Sequence, residues 1–128
     1  MSCPNMRTIL IVEDSETCAE TLQIALESMP GLKTVVLQNL GAALAALRNE
    51  DNNIAALVTD LHMPRHDGFE LIRQLRAENR YARLPVLLIS GDSDPQLPQR
   101  ALAHGADAFF SKPYSPAAVR RKLEQLLC

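Results

Sequence analysis

Two apolar runs, each ending in carboxylates, constrain this chain more than any other feature. Ile9-Leu10-Ile11-Val12 ends in Glu13-Asp14, and Ile54-Ala55-Ala56-Leu57-Val58-Thr59 ends in Asp60. Short apolar runs bounded by polar and turn residues predict strands buried on both faces, as in a parallel sheet. In open α/β sheets the ligand crevice lies beyond the carboxyl ends of the strands. Glu13, Asp14 and Asp60 are therefore aimed at one crevice, where they repel one another unless a cation joins them.

The remainder of the chain repeats the alternation. A helix is predicted from about Ser15 to Met29, with Cys18, Leu22, Ala25 and Met29 on one face, Ser15 as its cap and Pro30-Gly31 as its stop. Leu32 to Gln38 reads as a more mixed strand near a sheet edge, and the alanine- and leucine-rich segment from Leu40 to Asn49 as a short helix. After the Ile54–Thr59 strand, a helix opens near Asp67 or Gly68 and carries Phe69, Ile72 and Leu75 inward. Val86-Leu87-Leu88-Ile89-Ser90 has a central-strand pattern, and a helix runs from Pro95 to His104-Gly105. Asp107 to Ser111 makes the fifth strand. Pro116 opens a last helix whose stripe is Val119, Leu123, Leu126 and Leu127. Strict β/α alternation predicts a doubly wound (βα)5 flavodoxin-like fold, a five-stranded parallel sheet with helices on both faces. The expectation is a single domain over 1–128, with a core at about 7–127 and a mobile start at 1–6.

Composition narrows the function class. A net charge of −2 gives no nucleic-acid footprint, and no apolar stretch approaches the length of a membrane span. The polar start, Met1 to Met6, does not read as a signal peptide. Arg120, Arg121 and Lys122 read as the solvated face of a terminal helix. Cys3, Cys18 and Cys128 are odd in number and lack metal-ligand spacing, so a reducing, cytoplasmic setting is expected. Cys18 reads as a buried free thiol, and Cys3 and Cys128 as thiols at mobile ends.

Ser90 at the end of the fourth run and Lys112 before Pro113 at the end of the fifth add a hydroxyl and an ammonium to the carboxylates. Hard oxygen ligands at this density suit Mg²⁺. A lysine beside them can pair with Asp60 or clamp a phosphoryl oxygen, and a carboxylate can itself become a phosphorylated nucleophile.

These residues carry a family resemblance. The stretches Ile9-Leu10-Ile11-Val12-Glu13-Asp14, Val58-Thr59-Asp60-Leu61-His62-Met63-Pro64, Asp67-Gly68, Leu88-Ile89-Ser90-Gly91 and Gly105-Ala106-Asp107-Ala108-Phe109-Phe110-Ser111-Lys112-Pro113 resemble the receiver (phosphoacceptor) domain of two-component response regulators. Each motif alone is weak, but five in this order and spacing are specific, and the likeness runs from about Arg7 to the C-terminus. The resemblance implies strand order 2-1-3-4-5 and Asp60 as acceptor of a phosphoryl group from a histidine kinase or histidine phosphotransfer protein. It implies Mg²⁺ held by Asp14 and Asp60, by Glu13 through a coordinated water, and by the backbone carbonyl of His62. Lys112 becomes the phosphate-sensing cation, Ser90 the switch hydroxyl and Phe109 the switch aromatic, with Lys112-Pro113 a cis peptide. It further implies a surface of the fourth helix, fifth strand and fifth helix that acts on an effector protein or a tethered output domain. Neither nucleic acid nor membrane is contacted directly, and the chain is a monomer or a phosphorylation-dependent dimer. As the chain ends right after its last helix, no output domain is expected within it.

Blander readings stand beside these. Glu13 and Asp14 could cap the first helix, although capping explains one acid rather than a cluster. Phe109 and Phe110 alternate faces, so one should be core and the other needs an explanation. Tyr114 reads as a packing or partner-surface aromatic, and His104 as a helix terminator. A transition-metal site at His62 and His66 is disfavoured by Pro64 between them and by the lack of a third soft ligand. A haloacid-dehalogenase-type phosphatase would normally carry a second acid at the position of His62. A pseudo-receiver used only for docking would not need the acids, hydroxyl and lysine together. His62 borders the expected phosphoryl site, where its imidazole could obstruct or orient the attacking water, and Asp92 adds negative charge nearby.

Overall fold

The computed structural model describes residues 6–49, 51–63 and 66–127. Cys3 and Cys128, and all of the expected mobile start except the exposed Met6, lie outside the described residues. Strands β1 (Arg7–Val12), β2 (Leu32–Leu37), β3 (Ile54–Asp60), β4 (Val86–Ser90) and β5 (Ala108–Ser111) form one parallel sheet in the order β2-β1-β3-β4-β5. The expected topology and edge position of β2 therefore hold. Helices α1 (Glu16–Glu27), α2 (Leu40–Arg48), α3 (Gly68–Arg76), α4 (Leu97–Ala103) and α5 (Pro116–Leu127) connect and cover it.

Alternation along the strands divides the interior into two layers. Leu10, Val12, Leu57, Val86 and Leu88 face the cluster built with Leu44, Leu71 and Leu97 of α2, α3 and α4. Their neighbours Ile9, Ile11, Val58, Leu87 and Ile89 face Leu22, Leu26, Val119 and Leu123 of α1 and α5. Both sheet faces are thus dry, which explains why the central strands read as unbroken apolar runs. Phe109 and Phe110 follow the same logic. Each is half-buried, one against each cluster, so neither is full core and the covered second face of the sheet accounts for the other ring.

Several expected boundaries move. The buried face of α1 is Ala19, Leu22 and Leu26, so Cys18 and Ala25 stand at its margins and Cys18 is half-buried rather than buried. Helix α4 starts at Leu97, not Pro95, because Asp94 spends its side chain on the Gln96 N–H and its carbonyl on the Leu97 N–H. A two-stranded antiparallel ribbon, His62–Met63 with His66–Asp67, and a 3-10 turn at Asn79–Tyr81 have no strong periodicity and were not anticipated. Phe69 is half-buried: its ring stacks on His104 at 4.1 Å, and the Arg100 guanidinium lies 5.1 Å from its centroid. His104 does cap α4, as expected.

Two devices fix the loops that carry the site. Arg76 donates to the Gly105 carbonyl at 2.7 Å and to the Tyr81 carbonyl at 2.9 Å, tying the end of α3 to the entry into β5. Gly68 opens α3 so close to β3 that an added Cβ would lie 2.9 Å from Leu88 Cδ1 and 3.0 Å from the Asp60 carbonyl oxygen. Two of its three nearest neighbours are backbone atoms that cannot swing away. We predict that Gly68→Ala lowers unfolding free energy by about 1–3 kcal/mol through overpacking. Gly41→Ala, on an exposed face of α2 with only an ordinary 3.4 Å contact, should be neutral or slightly stabilising. Denaturant unfolding of both variants checks the contrast.

Candidate functional site

Parallel register brings the chemistry to one end of the sheet. Val12 pairs beside Thr59, Asp60 beside Ile89 and Ser90 beside Ser111, so the residues that follow these strands emerge together. Glu13, Asp14 and Asp60 each place a carboxylate oxygen within 4.8 Å of the others, the group of possible metal ligands found among the described residues. Glu13 and Asp60 are only 2% and 5% exposed, whereas Asp14 faces solvent.

Lys112 reaches into this cluster from the far side of the sheet. Its Nζ donates to Asp60 Oδ2 at 2.6 Å and lies 3.1 Å from Glu13 Oε1. The Glu13 contact lacks hydrogen-bond geometry, so it is an ion pair and the Asp60 contact is the stronger of the two. The other Glu13 oxygen accepts the Ser15 N–H at 3.1 Å, so the capping reading describes one of its two jobs. The His62 N–H donates to Asp60 Oδ1 at 3.2 Å, fixing the second acceptor oxygen. Burial opposes the lysine charge, but the hydrogen bond it donates to Asp60 and the contact with Glu13 outweigh it and raise its pKa above the ordinary lysine value.

The peptide bond Lys112-Pro113 is cis, as expected, and the Lys112 N–H donates to the Ser90 carbonyl at 2.8 Å. Ser90 is 1% exposed and its Oγ accepts the Asp92 N–H at 3.0 Å. Asp92 in turn lies 3.5 Å from His62 Nε2, so two exposed side chains from the loops after β3 and β4 pair beside the cluster. Sequence reading singled out both residues but had no means of seeing that they meet. Phe109 is half-buried against the α2, α3 and α4 layer.

One lysine against three carboxylates leaves the crevice net negative, which is the charge balance a hard divalent cation suits. Residues 9–124 match the family model of the response regulator receiver domain. The chain belongs to this family. Among similar proteins, a chemotaxis protein CheY homolog of Campylobacter jejuni is 28% identical over 119 residues, covering 93% of this chain and 91% of that protein. The transcriptional regulatory protein GltR of Pseudomonas aeruginosa is 32% identical over 123 residues, 96% of this chain but half of GltR. A signal receiver domain of a histidine kinase from Syntrophus aciditrophicus superposes with a TM-score of 0.81 at 35% identity, over 94% of this chain and 89% of that one. The receiver fold is that of two-component signalling proteins, and receivers are in general signalling switches rather than turnover enzymes. No helix of this receiver among the described residues is long and apolar enough to cross a membrane.

Tyr114 packs beside the site in the loop before α5. Burial, with Cys18 and Glu13 adding to it, pushes its phenol up to about 12, and burial also raises Tyr81. These are the only tyrosines of the chain. Both groups, and Lys112, hold their protons more tightly folded than unfolded, so their contribution is complete below pH 10, the ordinary tyrosine value, and is lost as pH rises above it. We predict that tyrosinate absorbance rises with midpoints above 10 for both residues while stability falls over the same range. A tyrosine midpoint at 10 in the folded receiver would contradict this packing.

Proposed function

We propose that this receiver is a phosphorylation-dependent switch whose phosphoacceptor is Asp60. The observation that carries the reading is the Lys112 ammonium, 2.6 Å from Asp60 Oδ2 and 3.1 Å from Glu13 Oε1, at the carboxyl ends of a receiver sheet. An Asp60 oxygen attacks the phosphorus of a phosphohistidine on a histidine kinase or phosphotransfer protein. The P–N bond breaks, the imidazole takes up a proton, and an acyl phosphate remains on Asp60. Lys112 balances the charge that collects on the phosphoryl oxygens, as a cation preorganised by carboxylates does without moving far. Glu13, Asp14, Asp60 and the backbone carbonyl of His62 would hold Mg²⁺, which when bound neutralises developing phosphoryl charge.

Phosphorylation then shifts a two-state equilibrium. The Ser90 hydroxyl turns to the phosphoryl oxygen, Phe109 follows inward, and the surface of α4, β5 and α5 changes for an effector protein or tethered domain. We take residues 7–127 as a single receiver unit working in the cytoplasm, without direct contact to nucleic acid or membrane, as a monomer or phosphorylation-dependent dimer. The chain promotes only its own phosphorylation and dephosphorylation. The phosphatase alternative is weakened because His62 stands where the second acid would be.

With a small acyl phosphate and Mg²⁺ the wild-type receiver should become labelled, and Asp60→Asn should not; persistent labelling of the variant would reject the assignment. Turnover of a phosphomonoester by the wild type would favour the phosphatase reading instead. The His62–Asp92 pair stands where attacking water approaches, so His62→Ala and His62→Asn should both change the lifetime of the acyl phosphate. Equal lifetimes in wild type and both variants would remove His62 from the account.

A further inference from the structure

At the other end of the sheet, where β1 and β3 begin, lies a cavity of about 590 Å³ that phosphoacceptor chemistry does not use. It is roughly 20 Å from Asp60 by the rise of β3. Arg7 at the start of β1 and Arg80 and Arg83 from the segment before β4 line it. No Asp or Glu among the described residues lines it, and none of the three guanidinium groups is ion-paired there. The nearby carboxylate of Glu78 is engaged by Arg48 at 3.8 Å. Arg80 is held in place: its Nη2 donates to the Asn52 carbonyl at 2.9 Å and its guanidinium lies 5.0 Å from the Tyr81 centroid. Part of its hydrogen-bonding edge is therefore committed and the rest is positioned rather than free to wander.

Three cations that no acid among the described residues pairs around one concavity repel one another, and an anion relieves that repulsion. The planar guanidinium fork matches phosphate oxygens in pairs. Asn53 and Asn79 add side-chain amides to the lining, while Leu84 and Leu127 supply an apolar wall. We propose that this cavity binds a small phosphate-bearing molecule of nucleotide size, carrying more than one phosphate on a partly apolar body. Such a ligand gives the receiver a second input, separate from Asp60 and at the opposite end of the sheet.

The test is amide NMR of the full chain in low-salt buffer with chelator, titrated with inorganic pyrophosphate and, separately, with a nucleoside diphosphate. Saturable shifts at residues 52–55 and 79–85 are expected, tighter for the nucleoside diphosphate because of the apolar wall and weaker as salt rises. Arg80→Gln with Arg83→Gln should weaken binding about tenfold or more. The same double variant should accept label from an acyl phosphate normally, with its thermal midpoint lowered only slightly by loss of the Asn52 and Tyr81 contacts of Arg80. Absent shifts, shifts spread equally over the Arg120 and Arg121 face, or affinity unchanged in the double variant would each overturn the proposal. Selective shifts with an acidic peptide, and none with either phosphate probe, would overturn it too.

Discussion

Everything at the functional end of this molecule depends on one ammonium group shared between two buried carboxylates. Glu13 and Asp60 are almost fully withdrawn from water, a position that ionised acids hold only when paired. Lys112 supplies that pairing from β5, across the intervening β4, and so couples opposite halves of the sheet. Its reach requires the register that sets Ser90 beside Ser111, and Gly68 lets α3 begin in close contact with the Asp60 carbonyl. The fold is in this sense a frame for bringing one positive charge to an acidic crevice.

The pairing is incomplete, and that incompleteness is what makes the site useful. One lysine leaves negative charge on the three carboxylates, so the crevice attracts a cation. In the proposed switch, the same lysine has a second anion to serve once a phosphoryl group arrives. A group already oriented by Asp60 needs little reorganisation to do so, which is the physical basis for a switch that costs few contacts to flip. The His62–Asp92 pair has a different character: both side chains are exposed, so it adds little stability, and the role proposed for it is one of access.

Much of this was legible in the sequence because it follows from periodicity and strand ends. The unbroken apolar runs at Ile9–Val12 and Ile54–Thr59 reported a sheet covered on both faces, and the acids after them marked its carboxyl edge. What escaped has specific causes. Two-residue strands such as His62–Met63 are too short to carry a period. Helix α1 rolls by one position, which takes Cys18 out of the core. Asp94 at the entry to α4 forms a side-chain turn that delays the helix beyond Pro95. The contacts His62–Asp92, Phe69–His104 and Arg76–Gly105 join residues whose meeting is decided by tertiary structure alone. The arginine-lined cavity was invisible for the same reason, since Arg7 and Arg83 are far apart in sequence.

The central claim is that Lys112 and a divalent cation compete for the charge of the same carboxylates. Magnesium titration of the wild type and of Lys112→Met, followed by thermal unfolding, measures this directly through ligand-linked stabilisation. Without magnesium the variant should be the less stable, because it leaves Glu13 and Asp60 without their cation, and magnesium should then raise its midpoint more than it raises that of the wild type. An equal or smaller magnesium effect in Lys112→Met would show that the lysine and the metal do not share a site, and the account would fail.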